Sequence, residues 1–190
     1  GGHYRFRISA SGYHRNGKPV TYRLIAGNTR LTGKDGLVGY FDALADEPTI
    51  VSIKESSDDV RRLTDIINET GERYILFSGV DDLALESMML GTVGWVSGLV
   101  NAFPAESMQL YRMAVEGRFK EALPLYRWFM PLLHLDVSMK LVQYIKLAQA
   151  MAGLGSETVR APRLVLDGAE RAHVVEPPAA WFLTHAGVSQ

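Results

Sequence analysis

The chain has 190 residues, 47% hydrophobic and 22% charged, with a net charge of −1 and no cysteine. That balance excludes wholesale disorder and a collagen-like rod, and the length allows one large domain or two small ones. Without cysteine there is no disulfide framework, thiolate metal site or cysteine nucleophile, and a reducing, cytoplasmic compartment is the expected location. The longest uncharged stretches, such as Gly91–Ala105, are broken by Gly, Asn and Pro short of the ~18–20 apolar residues of a membrane span, so no membrane partner is expected. The opening Gly1-Gly2, with no basic-then-apolar leader after it, suggests a piece of something longer or a processed product.

Charge is unevenly distributed. Residues 1–40 carry seven Lys/Arg against the single acid Asp35, and eight of the 18 glycines, whereas the rest of the chain is net acidic. An organisational boundary near residue 40 follows, with 1–40 forming an atypical basic, Gly-rich segment. Within it His3–Ser9 and Pro19–Ala26 have strand-like aromatic and β-branched content, separated by Gly and Asn turns without a crossover helix.

From Thr49 onward, strand-like and helix-like segments alternate. Thr49–Lys54 is short and β-branched, and Ser56–Asp59 offers N-cap oxygens and first-turn carboxylates to a helix with Val60, Leu63, Ile66 and Ile67 on one face and Gly71 at its end. Tyr74–Gly79 repeats the strand; Asp81-Asp82 open a helix with Leu85, Met88 and Met89 on its inner side, and Gly91 closes it. Val93–Leu99 reads as a third strand and Pro104 as a first helical position. Strands joined by short helices imply right-handed parallel crossovers, hence an α/β sheet or barrel over 41–103. A helical region over 104–171 follows, with helices at Ala105–Glu116, Phe119–Leu133 and Val137–Met151, and then an irregular tail over 172–190.

Alternation along Ile50–Lys54 puts Ser52 and Lys54 on one face and Val51 and Ile53 on the other. If the apolar set packs on covering helices, Lys54 points into a barrel interior at the C-terminal end of its strand, where such folds keep their active sites. A desolvated lysine there favours the neutral amine, which attacks carbonyls and forms a Schiff base with a keto acid. The competing reading is a strand-end lysine reaching solvent and pairing with Glu55 or Asp58.

The run IVSIKESSDD, followed by YILFSGVDDLALESMMLGTVGWVSGLVNAFP and the late VQYIKLA and GSETVRAPR segments, resembles the dihydrodipicolinate synthase / N-acetylneuraminate lyase family over roughly Phe41–Ala169. Its wording is closest to the branch containing 1-pyrroline-4-hydroxy-2-carboxylate deaminases. The resemblance implies a (β/α)8-barrel class I aldolase or lyase, here as a partial TIM-type barrel comprising the C-terminal strands, followed by the helical region. It implies Lys54 as the Schiff-base lysine, no organic cofactor, no metal, a small 2-oxo or cyclic imino acid as substrate, and a homo-oligomer, commonly a tetramer. It also places Ser56, Gly79, Asp81 and Val96 around the substrate. Each of those residues keeps a structural alternative: Ser56 as a helix cap, Asp81 as a partner of a helix N-terminus, and Val96 as core.

Two parts of the family pattern are not matched. The Gly-Thr-Thr/Ser-Gly-Glu segment that holds the substrate carboxylate is absent from this sequence, and the position of the relay tyrosine falls near Ala26. Pro19–Arg23 resembles the segment that follows that tyrosine, displaced upstream. A half-barrel with atypical ends is therefore expected, exposing apolar faces and strand edges, with catalysis by this chain alone in doubt. The rival readings are a non-catalytic fragment and a basic-arm module, in which Arg5, Arg7, Arg15, Arg23 and Arg30 interleave with Tyr4, Phe6, Tyr13 and Tyr22. No nucleic-acid motif accompanies that arm, so nucleic acid is not the expected partner. The five histidines are scattered; His134-Leu135-Asp136 is the nearest to a local pair and reads as a helix end.

Overall fold

The structure, a computed structural model, describes residues 6–13, 19–26, 44–172 and 174–175. Strands β1 (Phe6–Tyr13) and β2 (Pro19–Ala26) pair antiparallel, from Phe6 opposite Ala26 to Tyr13 opposite Pro19, and form a sheet of their own. The first strand runs four residues beyond the expected Ser9, and the expected start at His3 lies outside the described residues.

The second sheet is parallel and three-stranded, in the order β3 (Ser52–Glu55), β4 (Ile75–Ser78), β5 (Gly94–Trp95). β3 begins three residues later than expected because Glu47 captures the preceding segment. Its carboxylate accepts the Thr49 N–H at 3.1 Å and the Thr49 hydroxyl at 2.6 Å, and its carbonyl accepts the Ile50 N–H. Arg73, just ahead of β4, fixes the same segment by donating to the carbonyls of Ala45 (2.6 Å), Glu47 (2.7 Å) and Ile50 (3.0 Å) while lying over the Tyr74 ring. β5 stops after two residues, far short of the expected Val93–Leu99, because the groups that follow it turn to a side-chain carboxylate described below.

Helix α1 (Arg61–Thr70) sends Leu63 and Ile66 into a core shared with Ile53, Tyr74 and Leu76. Of the expected caps only Asp59 reaches the helix, accepting the Arg61 N–H at 3.1 Å. Gly71 ends the helix at φ +58°, a left-handed conformation that costs glycine little. After β4 the chain makes a single 3₁₀ turn (Asp81–Leu83) before α2 (Ala84–Met89), so the helical phase differs from that expected. Leu85 and Met88 are buried as the pattern suggests, but Met89 points outward and is 59% exposed.

The helical region is α3 (Pro104–Val115), α4 (Phe119–Leu133) and α5 (Leu141–Met151), the last starting four residues later than expected. Their main core joins Leu85 and Met88 to Leu99, Phe103, Leu110 and Phe129, with the rings of Phe103 and Phe129 edge to face at 5.9 Å. A smaller cluster packs Leu166 and Val174 onto Leu147 of α5. The tail is therefore not irregular from 172 or 174, since residues 168–172 and 174–175 are helical, and Val174 is buried. No helix among the described residues is long and apolar enough to cross a membrane.

Candidate active site

Burial alternates along the parallel strands as two-sided exposure requires. Ile53 and Glu55 of β3 and Leu76 and Ser78 of β4 are buried on the helix side, and Ser52, Lys54 and Ile75 are exposed on the other. Parallel register sets Lys54 beside Phe77, and Phe77 beside Gly94. The Phe77 ring occupies the place of the missing side chain: a Cβ on Gly94 would lie 2.7 Å from it.

Lys54 thus ends its strand on the face away from the helices, as expected, but it is exposed rather than desolvated. The physical reason is that no element among the described residues forms a wall opposite that face. Its side chain lies across Gly79, where a Cβ would stand 2.5 Å from Lys54 Cε and 2.8 Å from Cγ, and would also meet the Ser56 hydroxyl. Gly79 is held there by its own N–H, which donates to the Glu55 carbonyl at 2.8 Å. Lys54, Ser56 and Gly79 therefore converge, and Ser56 turns to Gly79, while α1 has no side-chain cap at its N-cap position.

Asp81 is placed differently. It has no exposed surface, and its carboxylate accepts from Trp95 Nε1–H (2.9 Å), the Ser97 hydroxyl (3.1 Å) and the backbone N–H groups of Gly98 (3.2 Å) and Leu99 (2.7 Å). Burial pushes its carboxyl above the usual range, and these four hydrogen bonds pull it back. Asp81 thus ties the turn after β4 to the turn after β5, the arrangement that ends β5 early. Val96 continues the ladder, its N–H donating to the Ser78 carbonyl at 2.9 Å, and its side chain is exposed on the open side of the sheet.

His134 and Asp136, adjacent in the sequence pattern, separate in the fold. His134 Nδ1 lies 2.8 Å from the Asp82 carboxylate, whereas Asp136 packs on Gly98 and accepts the Asp81 N–H. Burial raises the Asp136 carboxyl to about 6, helped by the Asp81 charge and opposed by the Asp81 N–H and the Lys54 charge. Sequence reasoning missed this residue as part of the site. The one local signal was Gly98, whose missing side chain makes room for the carboxylate. Among the described residues no group of His, Asp and Glu has the arrangement of a metal site. A cleft of about 270 Å³ opens along the outer edge of β5, lined in part by Phe77, Val93, Trp95, Met108 and Tyr111.

A short parallel sheet covered on one face by helices, with an amine at the C-terminal end of a strand on the other, defines an α/β protein with an open site above its strand ends. The dihydrodipicolinate synthetase family model matches residues 25–177, and the chain belongs to that family. The 4-hydroxy-tetrahydrodipicolinate synthase of Acidobacterium capsulatum is 32% identical over 127 residues, which is 67% of this chain and 42% of that protein. The synthase of Cytophaga hutchinsonii is 31% identical over 133 residues, covering 70% of this chain and 44% of the relative. The crystal structure of dihydrodipicolinate synthase from Aquifex aeolicus superposes with a TM-score of 0.70 at 28% identity, covering 77% of this chain and 50% of that one. The chain thus spans about half the length, or less, of these relatives.

Proposed function

We propose that this chain carries the covalent centre of a Schiff-base lyase acting on a small 2-oxo or cyclic imino acid, with Lys54 as the nucleophile. The observation that carries the reading is the meeting of Lys54, Ser56 and Gly79 at the C-terminal end of β3, within a family match that includes all three. The three parallel strands and their helices represent the closing part of a (β/α)8 barrel, whose active sites lie at that end.

In the reaction, the neutral Lys54 amine adds to the substrate carbonyl carbon and the carbinolamine loses water to give a cationic imine. That cation accepts the electron pair of the adjacent bond as it breaks, and water later returns to release product and free lysine. For a hydroxylated cyclic imine, the deaminase form of the reaction, the amine adds to the C=N carbon. One water leaves from the hydroxylated position and two are added, so that one water is consumed overall and ammonia and a keto-acid semialdehyde leave. Ser56, Gly79 and Val96 would line the substrate, and Asp81 would hold the loop that carries Gly79. Homo-oligomeric assembly belongs to this reading, as does the absence of an organic cofactor.

Borohydride trapping with pyruvate, and in parallel with a hydroxy-pyrroline carboxylate, tests it by intact mass and peptide mapping. The expected result is one adduct on Lys54, absent from Lys54→Ala. Labelling scattered over many lysines, or none, would leave the chain a non-catalytic member of its family.

A further inference from the structure

We propose that Asp136 is the countercharge of the Lys54 site: a positioning carboxylate, held over the C-terminal ends of the parallel strands, that stabilises the cationic imine. The inference rests on the Schiff-base reading above for its chemistry, though not for its geometry.

Asp136 belongs to the connection between α4 and α5, where its N–H closes a turn onto the Leu133 carbonyl at 3.1 Å. From there its side chain reaches the ends of all three strands. A Cβ on Gly98, just after β5, would lie 3.2 Å from Asp136 Cγ and would collide with Oδ1. The Asp81 N–H, just after β4, donates to its carboxylate, and the Lys54 charge at the end of β3 acts on it. Ile145 of α5 closes the other side of Gly98, where the same Cβ would approach its Cδ1 to 2.7 Å. The neighbouring acids are committed elsewhere: Asp81 to its four donors, Asp82 to His134, Glu55 to the Ser57 N–H and Glu86 to the Tyr126 hydroxyl.

The electrostatics follow from charge alone. An anion near a cationic imine lowers the free energy of the cation. The groups that bear on Asp136 are Asp81 and Asp82, which favour its neutral form, and Lys54, which favours its anion, with His134 paired to Asp82 at 2.8 Å. With its carboxyl near 6, Asp136 supplies a negative charge at neutral pH and withdraws it in mild acid. Because Lys54 is exposed, the effect is screened as salt rises.

Two measurements test this. Carbon-13 titration of the Asp136 carboxyl in the whole chain should show a midpoint that moves up by about half a unit or more in Lys54→Ala, because an attractive cation has been removed. An unmoved midpoint overturns the proposal, whatever the enzyme does. Trapping of pyruvate on Lys54, followed from pH 5 to 8 at low salt, should fall in acid in the unaltered chain. In Asp136→Asn it should lose that limb and drop about threefold to tenfold at pH 7.5, the deficit shrinking at high salt. An unchanged profile in Asp136→Asn also overturns it. Absence of any Lys54 adduct together with a moving Asp136 midpoint would sink the Schiff-base reading and uphold the charge coupling. An adduct with an unmoved midpoint would do the reverse.

Discussion

Lys54 and Gly79 are packed so closely that position 79 reports on the lysine. A methyl group there would stand 2.5 Å from Cε and 2.8 Å from Cγ of Lys54, but the lysine is an exposed, flexible chain that can swing aside. Gly79→Ala should therefore change stability by less than about 1 kcal/mol while displacing the amine, so that borohydride trapping slows about tenfold or more. Chemical denaturation beside trapping kinetics separates the two effects. Asp81 should behave in the opposite sense. Removing its carboxylate leaves the Trp95 indole N–H, the Ser97 hydroxyl and two backbone N–H groups without their acceptor. Asp81→Ala should cost about 3–5 kcal/mol in urea unfolding. Asp136 adds a pH dependence. Its carboxyl is raised to about 6 in the fold, so the unfolded chain gives up the proton first as pH rises. The stability that the neutral form contributes is complete below about pH 4 and lost by about pH 6. Discounted for its partial exposure, Asp136→Asn should stabilise the chain by about 1–2 kcal/mol at pH 7.5 and by nothing measurable at pH 4. Urea curves at the two pH values check the sign.

Elements before and after a parallel strand are held by different devices here, and only some of them are visible in the sequence. Arg73 satisfies three carbonyls of the 45–50 segment at once, a use of the planar fork that an ammonium cannot reproduce. Arg73→Ala should destabilise by about 1–3 kcal/mol, and Arg73→Lys should recover less than half of that loss in the same unfolding assay. Periodicity located the elements themselves. Leu63 and Ile66 gave away α1, Pro104 the start of α3, and the β-branched runs β3 and β4. Their ends were hidden wherever a side chain outbids the ladder. Glu47 delays β3 by binding Thr49, Asp81 truncates β5 by binding the N–H groups of Gly98 and Leu99, and one 3₁₀ turn rotates Met89 out of the core. The site divides in the same way. Alternation alone put Lys54 on the right face, and the family wording led to Ser56 and Gly79. Asp136 was invisible because it arrives from the far end of α4 and meets Gly98 only once the helices have folded back.

At the scale of the whole molecule, the parallel sheet is covered on one face only. Val51, Ile75, Val93 and Val96 are 47%, 49%, 54% and 48% exposed on or beside its strands, and the cleft along β5 adds the Phe77 ring and Met108. Scattered apolar residues are ordinary on a protein surface, but a contiguous set next to an unpaired strand edge is not. In the relatives, which are about twice as long or more, further chain is available to cover the corresponding surface. The 190-residue chain should accordingly bind an environment-sensitive apolar dye such as anilinonaphthalene sulfonate while still unfolding cooperatively, since its helical core is closed around Phe129, Leu110 and Leu133. Ile75→Thr combined with Val93→Thr should lower the dye signal at least about twofold by removing apolar area from this face, with far-UV circular dichroism and the unfolding midpoint nearly unchanged because both side chains already face water. A dye signal that survives the double substitution would place the binding surface elsewhere. A non-cooperative transition would mean that the core itself is loose, and that the face is open because the fold is incomplete rather than because its partner surface lies outside this chain.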